Sequence, residues 1–175
     1  MSPAHVQCAS DPPTNESRHE GSHQLSTGQD PRIASLQLCV GHREPMEVVA
    51  SATFVAGFGI EGDRHAVKSG ARTARQVLLM DEETLEGFGL VQGQVRENVT
   101  IDGIDLHDME PGQRLALGDQ VVLEITGHCA PCERMDEVRP GLREALDGQR
   151  GMLATVITGG LASVDDVVRA VERSA

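Results

Sequence analysis

Residues 125–141, ITGHCAPCERMDEVRPG, place Cys129 and Cys132 at C-x-x-C spacing, with His128 before the pair and Glu133 and Arg134 after it. Structural zinc needs four ligands, usually from a second C-x-x-C or a pair of histidines. The chain has no second such pair, and His128 is too close to Cys129 to serve as a distant ligand. A thioredoxin-type redox pair opens a helix in a β-α-β setting. CERMDEV can begin a helical turn, but the β-rich surroundings do not match. A third chemistry is a single thiolate, soft enough to bind a transition metal or carry sulfur. The N-terminus of a following helix and arginines such as Arg134 would favour its negative charge. Two buried, inert cysteines are the remaining reading, and spacing alone leaves the choice open.

Three further stretches gather polar residues at turns. GIEGDRHA, residues 59–66, sets Asp63, Arg64 and His65 after two glycines, and such a loop can bring backbone N–H groups and a guanidinium onto an anion. ARTARQV carries Arg72 and Arg75. In VRENVT, Arg96 and Asn98 enter a strand two residues apart, which predicts side chains on the same side. Each stretch also reads as an ordinary solvated turn or outer face.

The elements that must position these residues are short. IASLQLCV has the apolar pattern of a strand, with Cys39 as a small buried hydrophobe. MEVVASATFVAG reads as a second strand, and RQVLLM as a third. Asp81 then caps a small helix, DEETLEGFGL. ENVTIDG ends at an Asp-Gly turn. QRLALGDQVVLEITG predicts two strands joined by a tight turn. PGLREALDG is a short helix, opened by Pro140 and closed by Gly148, and MLATVITGG is another strand. In LASVDDVVRAVERSA, Val164, Val167, Val168 and Val171 have helical spacing, with a last strand as the alternative. About seven short strands with two or three short helices, and no β-α-β alternation, predict a mostly β fold of antiparallel barrel type.

Composition narrows the function. The 175 residues suffice for one domain with its own core, and 39% are hydrophobic, with three Phe and no Trp or Tyr. A net charge of −12 argues against nucleic acid and anionic membranes as partners. Lys68 is the sole lysine, so the cations are arginines, whose planar fork suits phosphate and carboxylate. Residues 1–31 are polar, with scattered His5, His19 and His23, and read as a disordered tail holding Cys8, followed by one domain over 32–175. With no signal peptide and no membrane span expected, a soluble cytoplasmic protein follows, with cysteines free, metal-bound or catalytic.

Taken in order, GIEGDRHA, RQVLLMDEETLEGFGL, RENVTIDGIDL, GQRLALGDQVVLEITGHCAPCERMDEVRPGLREAL and RGMLATVITGG resemble the MOSC domain family, the C-terminal domain of molybdenum cofactor sulfurase, in its small stand-alone form. The resemblance runs from about Arg43 to Gly160. It implies a MOSC-type β-barrel with a few short helices that binds the molybdenum cofactor, an anionic pterin dithiolene with a phosphate. It also implies either sulfur handling for that cofactor or reduction of N-hydroxylated compounds. The family's key cysteine falls on Cys132, as metal ligand or sulfur acceptor, and its Arg-x-Asn strand on Arg96 and Asn98. Arg64, His65 and Arg75 would complete the cofactor pocket, Arg150 would add a contact, and Cys129 would be a neighbouring or resolving thiol. The tail after Gly160 departs from the small members' final strand, which puts barrel closure in question. No flavin, haem or iron–sulfur motif is present, so electrons or sulfur would come from a separate donor protein. A non-catalytic cofactor-binding module is a further expectation.

Overall fold

The computed structural model describes residues 30–66 and 73–171. The expected N-terminal tail, with Cys8 and its histidines, and the expected Arg72 lie outside the described residues, apart from Asp30 and Pro31.

Among the described residues, eleven strands and three short helices follow in chain order. They are β1 Arg32–Leu38, β2 Glu47–Val49, β3 Ser51–Val55, β4 Gly59–Ile60, a 3₁₀ turn Thr73–Arg75, β5 Val77–Asp81, α1 Glu82–Gly87, β6 Val99–Asp102, β7 Arg114–Leu117, β8 Val121–His128, α2 Arg134–Val138, α3 Leu142–Ala145, β9 Met152–Thr158, β10 Gly160–Ser163 and β11 Val168–Val171. One sheet has the order β11-β7-β8-β9-β5-β6-β1-β2, and a second has β10-β3-β4.

Local chemistry explains several elements. β7 and β8 form the expected tight hairpin, with Leu117 opposite Val121. Their burial alternates residue by residue, as a strand with one face on the core requires. Asp81 caps α1 as expected, its side chain accepting from Thr84 N at 2.9 Å.

Three expectations are corrected and one open alternative is decided. The fold is mostly β, but the sheets do not close into a barrel: the large sheet ends at β2 and β11, and β10-β3-β4 stand apart from it. The single bridge Arg32↔Val167 ties β1 to the segment before β11 without closing the ladder. MEVVASATFVAG is two strands rather than one, because the chain leaves the large sheet at Ala50 and continues as β3 in the small one. In the valine-rich tail the strand alternative holds: β11 pairs with β7 from Val168↔Leu117 onward, and edge pairing overrides the helical spacing. Finally, one β-α-β unit exists, since α1 joins β5 to β6 and these two strands pair in parallel.

The core divides at β5, whose five residues are all buried. Val77 and Leu79 join the main cluster with Ile33, Leu36, Ile101 and Leu123. Met80 points to the opposite face, where Leu85, Met135, Leu142 and Leu146 bring α1, α2 and α3 together. Leu78 shares that second face but sits beyond the helices. A cavity opens there.

Candidate functional site

The cavity has a volume of about 350 Å³. Its floor includes Leu78 of β5 and Leu153 of β9, which are register partners in the sheet. Its walls bring together every residue expected at the site: Arg64, His65, Arg75, Arg96, Asn98, Cys132 and Arg150. His42, Cys129, Ala130 and Arg134 complete the lining. Five arginines therefore meet at one cavity, and among the described residues no carboxylate lines it. Among the described residues none of the five makes an ion pair with an acid. In a chain of net charge −12 the cavity is a local inversion of sign.

Arg150 carries the clearest signal. It is 8% exposed. Its Nη1 donates to Cys129 Sγ at 2.9 Å and to Ala130 O at 3.1 Å, and Nη2 donates to Val95 O at 3.1 Å. Its Nε has no partner among the described residues. A buried guanidinium without a carboxylate is costly unless another anion neutralises it. Cys129 Sγ and a bound anion are the two candidates. Cys129, 3% exposed, is held by its N–H on Gly151 O at 2.9 Å. Gly151 is fixed there by sterics: its φ is +85°, and a Cβ would lie 2.1 Å from Leu79 O. Cys132 is half-buried and directly precedes the α2 turn, where its carbonyl accepts from Met135 N. Both cysteines are free thiols.

Asp63 organises the opposite wall. Its Oδ2 accepts from Cys39 N and from Asn98 Nδ2, both at 2.7 Å. Its Oδ1 accepts from His65 N at 2.7 Å and faces His65 Nδ1 at 3.0 Å. Burial pushes this carboxyl up, but the bonds from His65 and Cys39 outweigh it, leaving Asp63 below the ordinary carboxylate range. The carboxylate is thus ionised, and it orients the His65 ring that lines the cavity.

Asn98 lines the cavity as expected, with its amide engaged by the protein. Its Nδ2 donates to Gln37 O and to Asp63 Oδ2, and its Oδ1 accepts from Leu78 N. Both amide hydrogens are used within the protein, so Asn98 positions the wall rather than offering a free donor. The expected Arg96–Asn98 strand pair is corrected. β6 begins only at Val99, and Arg96 sits in a turn at φ +67°, an uncommon conformation for a side-chain-bearing residue. That turn swings its guanidinium to Glu44 O at 2.8 Å, Gly41 O at 3.2 Å and Cys39 Sγ at 2.6 Å. Cys39 is fully buried as expected, yet its sulfur and N–H serve the network around the cavity. Arg134 Nη1 donates to His42 O. Two cavity arginines thus strap down the loop between β1 and β2, whose His42 lines the cavity. Arg64 and Arg75 are exposed, and their guanidinium groups make no hydrogen bond among the described residues.

Between Arg96 and Asn98, Glu97 is fully buried, with its carboxyl raised to about 7 by burial. Its Oε1 accepts from Gly93 N, while Oε2 has no partner. It does not line the cavity.

His42 and the central role of Asp63 were missed by sequence reasoning. Asp63 carries a usable signal, a carboxylate between a turn glycine and Arg64-His65. His42 carries none, because only the strap geometry brings it in.

The donor set suits an anionic ligand with a soft, metal-bearing end: guanidinium groups without carboxylates, an orphaned Arg150 Nε and two thiols on one wall. The comparisons with known proteins agree with the fold that builds it. A family model for the MOSC domain matches residues 71–169, more than half of the chain. The chain belongs to the MOSC domain family. It is similar to the YuaD protein of Bacillus subtilis, with 20% identity, 80% of this chain and 94% of that one covered, and a TM-score of 0.67. It is also similar to YiiM from Escherichia coli, with 18% identity, coverage of 82% and 71%, and a TM-score of 0.61. YiiM from Geobacillus stearothermophilus gives 18%, 82% and 76%, with a TM-score of 0.63. No curated protein matches the chain. At these identities the likeness is one of fold. Among the described residues no helix is long and apolar enough to cross a membrane.

Proposed function

We propose that the arginine-lined cavity binds the molybdenum cofactor and that the protein reduces N-hydroxylated compounds. The observation that carries this reading is the meeting of five arginines and two thiols in one cavity without a lining carboxylate among the described residues. Arg64 and Arg75, both exposed, would hold the phosphate and pterin edge as bidentate donors. Arg150 would neutralise charge at the deep end, beside the thiols. Cys132, the more accessible of the two sulfurs, would be the protein's thiolate ligand to the metal. When bound, the cofactor supplies a molybdenum centre able to take oxygen from an N–OH group and to be re-reduced by a separate electron-donor protein.

This chain's own residues do the remaining work. Asp63 fixes the His65 ring through Nδ1, so that Nε2 is the nitrogen left to hold or deliver a proton toward the N–OH oxygen. The strap pinned by Arg96 and Arg134 would hold His42 at the cavity wall. Free thiols suit a reducing compartment, and we place the protein in the cytoplasm. The test is reduction of an N-hydroxylated amidine by cofactor-loaded protein with a chemical electron donor. Cys132→Ser should abolish turnover, and Cys129→Ser should largely keep it. Equal loss in both variants would contradict single-thiol ligation.

A second reading, a sulfur carrier with a persulfide on Cys132, is favoured by one specific contact. Arg150 is spent on the sulfur of Cys129, which a metal site using Cys132 alone does not require. A sulfur-donor protein would then replace the electron donor.

A further inference from the structure

We infer that Cys129 is the resolving thiol of a two-cysteine sulfur-release device, one that discharges sulfur from Cys132 as sulfide inside the arginine-lined cavity. This rests on the sulfur-carrier reading of the site.

The two cysteines differ in the ways such a device requires. Cys132 is half-buried at the cavity wall and can meet a donor from outside. Cys129 is 3% exposed and lines the same cavity, so its sulfur opens inward. Only Ala130 and Pro131 separate them, the spacing at which thiol pairs close a disulfide. Arg150 Nη1 lies 2.9 Å from Cys129 Sγ, and this buried guanidinium has no carboxylate partner. The guanidinium thus sits directly against the sulfur that acts as the nucleophile. Sulfur on Cys132 would carry no such guanidinium contact.

The chemistry balances without an external oxidant. A persulfide on Cys132 holds its outer sulfur at the sulfane level. The Cys129 thiolate attacks Cys132 Sγ, the Cys129–Cys132 S–S bond forms, and the outer S–S bond breaks. The electron pair of that broken bond leaves with the outer sulfur as HS⁻, which keeps the persulfide's proton. The sulfane sulfur is reduced by two electrons, and the two cysteine sulfurs are oxidised to a disulfide. An external dithiol resets the pair. The expelled anion is released among Arg64, Arg75, Arg96 and Arg150, which retain it by charge.

The experiment loads the full reduced chain with inorganic polysulfide under nitrogen, removes the excess, and follows sulfide release together with peptide mass mapping. The inference expects about one sulfide per chain without added thiol, and a Cys129–Cys132 disulfide in the product. Cys129→Ala should keep the sulfur on Cys132 until dithiothreitol is added, with unaided release slowed at least about tenfold. Arg150→Gln keeps both thiols and should slow release severalfold, and the circular dichroism spectrum of each variant reports folding. Equal release by wild type and Cys129→Ala overturns the inference while leaving the carrier reading in place. So does sulfur found as a persulfide on Cys129. No sulfur on Cys132 in any protein overturns both.

Discussion

Asp63→Asn is the most informative single change to the cavity wall. The carboxylate accepts four contacts: Cys39 N and Asn98 Nδ2 on Oδ2, and His65 N and Nδ1 on Oδ1. An asparagine must turn its amide nitrogen toward one of these pairs. Toward Cys39 and Asn98 it would strand two buried donors. Toward His65 it strands only the backbone N–H, because the imidazole can switch tautomer and accept through Nδ1. The second orientation is cheaper, and a hydrogen bond to a charged group is worth about 1.5–3 kcal/mol. The variant should therefore lose about 2–3 kcal/mol of stability and move the His65 proton from Nδ1 to Nε2. Urea unfolding at neutral pH measures the first effect, and nitrogen chemical shifts of the His65 ring measure the second. The pH dependence has a definite sign. The folded-state carboxyl lies below its ordinary 3.8, so its stabilisation is complete above that value and disappears as pH falls through the folded value. The gap between wild type and variant should close in strong acid. A loss below about 0.5 kcal/mol, well under one charged hydrogen bond, would refute the reasoning, as would an unchanged tautomer.

Other predictions follow from neighbouring residues. Glu97 has its carboxyl raised from an ordinary 4.5 to about 7, so the folded state holds its proton more tightly. Stability should fall as pH rises from 4.5 through 7, by roughly 3 kcal/mol in total, and stay flat above. Glu97→Gln should remove that slope and be the more stable form at pH 8, as urea midpoints at pH 5 and pH 8 would show. Gly151→Ala places a Cβ 2.1 Å from Leu79 O at a φ of +85° and should cost more than about 3 kcal/mol in thermal unfolding, displacing Cys129 with it. Arg134→Ala removes the bond to His42 O and should speed amide exchange across residues 41–45 without changing the unfolding midpoint by more than about 0.5 kcal/mol.

How much of this was legible in the sequence depends on the range of the interaction. The β7–β8 hairpin, the Asp81 cap and the helices after Cys132 and Pro140 are set by contacts within a few residues, and they appear where the pattern puts them. The valines from Val164 to Val171 show why the tail was ambiguous. Helical spacing is local, whereas pairing of Val168 with Leu117 is not. The break at Ala50 was invisible for the same reason, since β2 and β3 are both strands and only their partners differ. The expected residues Arg64, His65, Arg75, Arg96, Asn98, Cys132 and Arg150 do meet at one cavity. Their individual duties were not legible. That Asn98 spends its whole amide on Gln37, Leu78 and Asp63 depends on strands 20 and 61 residues away in the chain. Arg96 departs from its expected strand because its turn aims it at the β1–β2 strap.

The most direct test of the central claim is molybdenum and pterin content of the purified protein, made in a host that synthesises the cofactor, with wild type and Cys132→Ser side by side. Near-stoichiometric molybdenum and pterin in wild type, with molybdenum lost from Cys132→Ser, is the predicted result. No molybdenum or pterin in either protein would contradict cofactor binding at this cavity.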